Sequence, residues 1–161
     1  MNLSWVVNAS PLILLAKIGR VDLLLGLTGK LVIPASVASE IQGGPSGDPA
    51  REWLHGAGAQ WVRADVPLDP AIAAWDLGAG ETAVLNWAYR HREYEAILDD
   101  RAARKCAGIQ RLAYRGTLGV ILGAKKRGLV PAAKPVCDQL IQAGLLIDPI
   151  VLRGALGLVG E

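Results

Sequence analysis

Asn8, Glu40, Glu81, Asp99 and Asp100 are the residues of this sequence whose types and positions could do chemistry. Asn8 follows the apolar run Leu3–Val7, and the aspartate pair follows "AIL", so each stands where a buried strand gives way to the next segment. In open parallel sheets, ligands sit outside the carboxyl ends of the strands. Thr117 falls at a third such place, after a short last strand in "YRGTLG". Glu40 and Glu81 lie on helices that a parallel sheet can point toward the same edge. Brought together, the set makes an acidic cup of up to four carboxylates and one amide. Converging carboxylates repel one another unless a cation sits among them. Donors that are all oxygen select Mg²⁺ or Mn²⁺, and a water activated by such an ion is a nucleophile for phosphodiester hydrolysis. Arg101 and Arg104, one helical turn apart, are placed to steady the substrate phosphates.

Each member also has an ordinary explanation. Glu40 suits a solvated helix face. Glu81 follows Gly80 at a helix start, where a carboxylate is favoured by the free N–H groups. One of Asp99 and Asp100 is needed to cap the next helix, and Asn8 can bond the backbone of its own turn. Only the set taken together points to a site. Other chemistries fail on content. "GAGET" lacks the Lys-Ser/Thr of a phosphate-binding loop, and His55 and His91 have no metal-ligand spacing. Ser10, Ser36 and Ser46 lack a nucleophile-elbow pattern. Cys106 and Cys137, far apart, read as buried thiols.

The elements that must position these residues alternate between strand and helix. Leu3–Val7 reads as a strand feeding a helix at Ser10-Pro11, an N-cap followed by the favoured first helical position. A second short helix, "VDLLLGL", precedes the strand "KLVIP", and Pro34 opens a helix carrying Val37, Glu40 and Ile41. "GGPSGDP" is a loop, followed by the helical piece "AREWLHGAG" and a short edge strand at residues 60–62. A helix from Glu81 has Ala83, Val84, Trp87 and Ala88 along one face, and Ala96–Leu98 form a buried strand. Helical patterns continue from Arg101, residues 128–161 forming a helical C-terminal part of the same single domain, 1–161. The alternation predicts an α/β fold of three layers, α/β/α, with a mainly parallel central sheet.

With 52% hydrophobic and 20% charged residues, the chain is globular and not a disordered tail. Lys17, Arg20 and Asp22 break its most apolar early segment, so no stretch reaches the ~20 residues that span a bilayer. "MNLSWVV" lacks the basic region of a secretory signal, and a cytoplasmic location is expected. The net charge of +2 is unevenly spread. Twelve of the fifteen acids precede residue 101, whereas Arg101–Arg127 hold eight basic residues and no acid. An acidic part followed by a basic one suits a metal site beside a phosphate-binding surface.

The stretches "VVNASPLILLAKIGRVDLL", "LVIPASVASEI", "LGAGETAVLNWA", "ILDDRAARKCA", "GTLGVILGAKKRGLV" and the "GE" at 160–161, taken in order, resemble a prokaryotic subfamily of the PIN-domain nucleases related to VapC-type toxins. The Gly-Glu-Thr helix start, the Asp-Asp-Arg-x-x-Arg run and Gly-Thr-Leu-Gly are its most specific parts. The resemblance implies a metal-dependent endoribonuclease using Mg²⁺ or Mn²⁺, commonly a homodimer and often held inactive by a cognate antitoxin protein. It assigns metal binding to Asn8, Glu40, Glu81 and Asp99 or Asp100, with Thr117 beside them; Glu40, Glu81, Asp99 and Asp100 are the expected catalytic acids, and Ser10, Arg101, Arg104 and Thr117 the expected substrate contacts. The departure is Asn8, where PIN nucleases usually carry Asp. The amide oxygen still ligates Mg²⁺, but a negative charge is lost and metal affinity falls. The alternative is a catalytically impaired relative that binds RNA or a protein partner.

Overall fold

A computed structural model describes residues 3–161; Met1 and Asn2, which open the N-terminal stretch read above, lie outside it. Five parallel strands form the central sheet in the order β3-β2-β1-β4-β5: β1 Leu3–Val7, β2 Thr28–Pro34, β3 Val62–Arg63, β4 Tyr94–Ile97 and β5 Tyr114–Arg115. The two short strands stand at the edges. The long central β1 is wholly apolar over Trp5, Val6 and Val7, all fully buried, as a strand covered on both faces must be.

The helices are α1 Ala9–Lys17, α2 Asp22–Leu27, α3 Ala35–Gln42, α4 Pro49–His55, α5 Pro70–Ala73, α6 Ala79–Arg90, α7 Arg101–Ile109, α8 Thr117–Lys126, α9 Lys134–Ala143 and α10 Pro149–Gly157. They cover both sheet faces, giving the α/β/α layering. Leu12, Leu15, Leu24, Val84, Leu85, Val120 and Ile121 are fully buried against the strands. Each such side chain contributes about 1.5–3 kcal/mol when withdrawn from water.

Several local expectations shift, among them the start of α6, which falls at Ala79 and not at Glu81. Helix α1 begins two residues earlier than the Ser-Pro signal suggested, so Asn8 (φ −82°, ψ 169°) occupies the N-cap position and Ser10 does not cap. Pro11 then sits in the first turn, where no helical N–H is lost. On α6, Leu85 and Asn86 are buried with Val84 and Ala88, whereas Ala83 and Trp87 are only half-buried. The edge strand falls at Val62–Arg63, one to two residues later than expected, because a 3-10 turn takes up Ala57–Trp61. The short helix α5, started by the Asp69 carboxylate accepting from Ala71 N–H at 2.9 Å, lies between the edge strand and α6, where the sequence suggested no element.

One carboxylate ties three strands together. Glu95 Oε1 on β4 accepts from the Trp5 indole of β1 at 2.9 Å and from Arg115 Nε of β5 at 3.0 Å. The Arg115 side chain then lies across α8, where a Cβ on Gly119 would meet Arg115 Cγ at 2.6 Å and one on Gly123 would meet Nη1 at 3.2 Å. The glycines of "GTLGVILG" are thus the space this arginine occupies. They fix β5 against α8 and so set where Thr117 stands.

Candidate functional site

The carboxyl ends of β1 and β4 open into a cleft of about 380 Å³ lined by Asn8, Ser10, Leu14, Glu81, Asp99, Asp100, Arg101 and Gly144–Leu146. A neighbouring cavity of about 460 Å³ shares Asn8, Ser10, Leu14, Glu81 and Gly144, and adds Glu40 and Lys17. Asn8 and Glu81 face both, and therefore stand between Glu40 on one side and Asp99 on the other.

Asn8 is 3% exposed, makes no capping bond with its side chain, and leaves Oδ1 buried without a hydrogen-bond partner. The ordinary explanation for an asparagine at a corner therefore does not hold. A buried acceptor left unsatisfied costs about 1–3 kcal/mol, which a bound donor or cation would offset. Its surroundings are supplied by α6. A Cβ built on Gly80 would stand 2.7 Å from Glu40 Oε2 and 3.2 Å from Asn8 Oδ1. The two oxygens therefore converge on one bare Cα, and any side chain there would displace the Glu40 carboxylate.

Glu40 is exposed as a residue, yet its carboxyl reaches this crowded point. Its pKa is raised above the usual carboxylate range, first by loss of water around it and then by the charge of Glu81. Glu81 itself folds back toward the start of its helix, since a Cβ on Gly78 would meet its Oε2 at 2.5 Å. The two glycines of "GAGET" thus make room for two carboxylates instead of cradling a phosphate.

The aspartate pair divides its work. Asp100 caps α7, its Oδ2 accepting from Ala103 N–H at 2.9 Å. Asp99 turns toward α8, where Oδ1 accepts from Thr117 N–H at 2.7 Å and Oδ2 from the Thr117 hydroxyl at 2.6 Å. Thr117 is fully buried, so in this geometry it positions Asp99 and does not itself face the cleft. Arg101 lines the cleft, while Arg104 sits beyond Gly116, next to Asp99.

The expected four-carboxylate cup is not closed. Among the described residues, no three His, Cys, Asp or Glu side chains stand close enough together to hold a metal ion. The acids ring the cleft in separate orientations because each carboxylate turns to a local neighbour: Asp99 to Thr117, Asp100 to Ala103, Glu81 back over Gly78. The residues nevertheless fit a hard divalent cation. The donors are all oxygen, the amide oxygen of Asn8 is orphaned in their midst, and Glu40 is held by no hydrogen bond among the described residues.

Lys17, Gly78, Gly80 and the 143–146 wall were not singled out in the sequence. Lys17 had a signal, being in step with Ser10, Ile13 and Leu14 along one face of α1. The wall had none, since it is brought to the cleft only by the packing of α9. Cys106 and Cys137 are free and buried, and burial pushes the Cys137 thiol up to about 11. No helix among the described residues is long and apolar enough to cross a membrane.

A family model described as a PIN domain matches residues 4–161. No curated protein and no solved structure matches the chain. Spanning nearly the whole sequence and agreeing with the parallel α/β/α sheet, the match shows that the chain belongs to the PIN-domain family, whose domains are generally nucleases.

Proposed function

We propose that this PIN-domain protein is a Mg²⁺- or Mn²⁺-dependent endoribonuclease, the toxin of a toxin–antitoxin pair. The observation that carries the reading is the cleft itself, in which the orphaned Oδ1 of Asn8 lies among Glu40, Glu81 and Asp99 with Arg101 at its side. Asn8, Glu40, Glu81 and Asp99 would hold the cation, with Asp100 kept mainly as a helix cap. A bound divalent ion would activate water and offset charge on the phosphate and leaving oxygen. Arg101 and Lys17 flank the acids and would orient the phosphodiester, while Ser10, exposed on the same wall, offers a hydroxyl to the backbone. Thr117 acts through Asp99.

The test is cleavage of single-stranded RNA in Mn²⁺. The wild type cuts, weakly because of the missing charge at position 8, and Glu81→Gln does not. Asn8→Asp cuts faster than wild type. Cleavage that appears only in Asn8→Asp favours the second reading, motivated by the amide alone, in which the native chain binds RNA or a protein without cutting it.

A protein partner is supported by the exposed apolar side chains beyond α9. Leu146 is 95% exposed at the cleft wall, and Ile150 and Leu158 on and after α10 are 76% and 74% exposed. A second copy of the chain or a cognate antitoxin would cover them, and sedimentation of the purified chain, with and without the product of the neighbouring reading frame, separates the two.

A further inference from the structure

Helix α7 carries more positive charge than the cleft can use. Arg101, Arg104 and Lys105 fall at positions i, i+3 and i+4 and are all exposed, so they share one face. None of the three takes part in an ion pair among the described residues. The one acid at the start of the helix, Asp100, is occupied in capping it.

The next residue on this face is Gly108, which stands beside Tyr114 at the edge of the sheet. The Tyr114 hydroxyl lies 3.9 Å from where a Gly108 Cβ would stand. Tyr114 is 38% exposed although it belongs to the sheet, because β5 is the edge strand. The Arg104 guanidinium packs over its ring, 5.4 Å from the centroid. The same guanidinium reaches back to the acid centre: a Cβ on Gly116 would meet Arg104 Nη1 at 3.2 Å and Asp99 Oδ1 at 3.0 Å. An exposed aromatic ring, a cation braced against it and further unpaired cations in line are the elements of a single-stranded nucleic-acid track, in which phosphates follow the cations and an unpaired base stacks on the ring.

We propose that the exposed face of α7 and Tyr114 form the track by which single-stranded RNA runs to or from the acidic cleft, with Tyr114 stacking one base and Arg104 and Lys105 holding the flanking phosphates. The proposal rests on the ribonuclease reading and adds to it a route and a stacking residue. A duplex does not fit this track, because its bases are stacked on one another and offer no free face to the ring.

The experiment is fluorescence anisotropy of the full chain with a labelled single-stranded RNA of about 12 nucleotides, in EDTA to prevent cleavage, over a range of KCl. Tyr114→Leu weakens binding about tenfold with the salt slope unchanged, Tyr114→Phe binds as wild type, and Lys105→Gln lowers the salt slope by about one. The same RNA annealed to its complement binds more weakly than the single strand. Thermal melting of each variant separates loss of fold from loss of contact, and Lys105→Gln, on the solvent face, keeps the test valid should Tyr114→Leu unfold. If the wild type binds RNA while Tyr114→Leu and Lys105→Gln match it, the strand runs elsewhere and the proposal falls with the ribonuclease reading intact. If the wild type binds no RNA at any salt, both fall.

Discussion

Thr117 gives both of its donors to one side chain: its backbone N–H and its hydroxyl meet the two carboxylate oxygens of Asp99 at 2.7 and 2.6 Å. Asp99 leaves β4 and Thr117 starts α8, so this pair joins two elements that the chain separates by a helix and an edge strand. It also separates the roles of two adjacent aspartates, because Asp100 is taken by the start of α7. Thr117→Val keeps the shape and the N–H but removes the hydroxyl. Hydrogen bonds to charged groups contribute about 1.5–3 kcal/mol, and urea unfolding should show a loss of that order with an unchanged m-value. Thr117→Ser, which retains the hydroxyl, should lose less.

Gly80→Ala tests the convergence of Asn8 and Glu40. The added methyl would stand 2.7 Å from Glu40 Oε2 and 3.2 Å from Asn8 Oδ1. The Glu40 carboxylate is the far end of a flexible side chain and can swing away, so the fold should survive with an unchanged circular dichroism spectrum. Mn²⁺ affinity, read by calorimetry, should fall at least tenfold. An affinity equal to wild type would mean that the ion does not sit between these oxygens.

The pH dependence of stability isolates Glu40. Its folded pKa is raised by burial and by Glu81, so the folded state holds the proton more tightly than the unfolded state does. Stability contributed by the protonated form is present below the ordinary Glu value and is lost as pH rises through the raised one. Glu40→Gln should therefore melt at a higher temperature than wild type at pH 7.5. The advantage should vanish as the pH approaches about 4. Adding Mn²⁺ to the wild type at pH 7.5 should likewise raise its melting temperature.

Glu161 shows the opposite sign. Its carboxylate accepts from Ala133 N–H at 2.7 Å and Lys134 N–H at 3.0 Å, capping α9 from a distant point in the sequence, after Gly160 turns the chain at φ +79°. Those two backbone bonds hold its pKa below the ordinary range. The stabilisation is therefore present above the ordinary Glu value and lost as pH falls through the lowered one. Glu161→Gln should melt below wild type at neutral pH, and the two curves should meet in acid. Because α9 carries the 143–146 wall of the cleft, the variant should also bind RNA less tightly at neutral pH.

The features legible in the sequence were those that a short stretch states by itself. The apolar runs around Trp5–Val7 and Ala96–Leu98, the alternation with helices, and the polar residues at strand ends led to the parallel α/β/α sheet and to Asn8, Glu40, Glu81 and Asp99 around one edge. Features that depend on packing were not legible. The approach of Glu40 and Asn8 to Gly80, and the Arg115 side chain laid across Gly119 and Gly123, join residues of separate elements, which no short stretch states. A Ser-Pro pair states a cap strongly at Ser10, whereas β1 hands over to α1 two residues sooner, at Asn8. The open cup was also out of reach, since residue types show that acids can converge but not that each will turn to its own neighbour.

The central claim is that a divalent cation belongs among Asn8, Glu40, Glu81 and Asp99. Its most direct test is anomalous diffraction from crystals soaked in MnCl₂. The account predicts a Mn²⁺ peak in the cleft, with Asn8 Oδ1 turned to it and Glu40 and Glu81 drawn in, and no such peak in Glu81→Gln. A cleft without Mn²⁺ at millimolar concentration, or a peak that Asn8 and Glu81 do not touch, would contradict it.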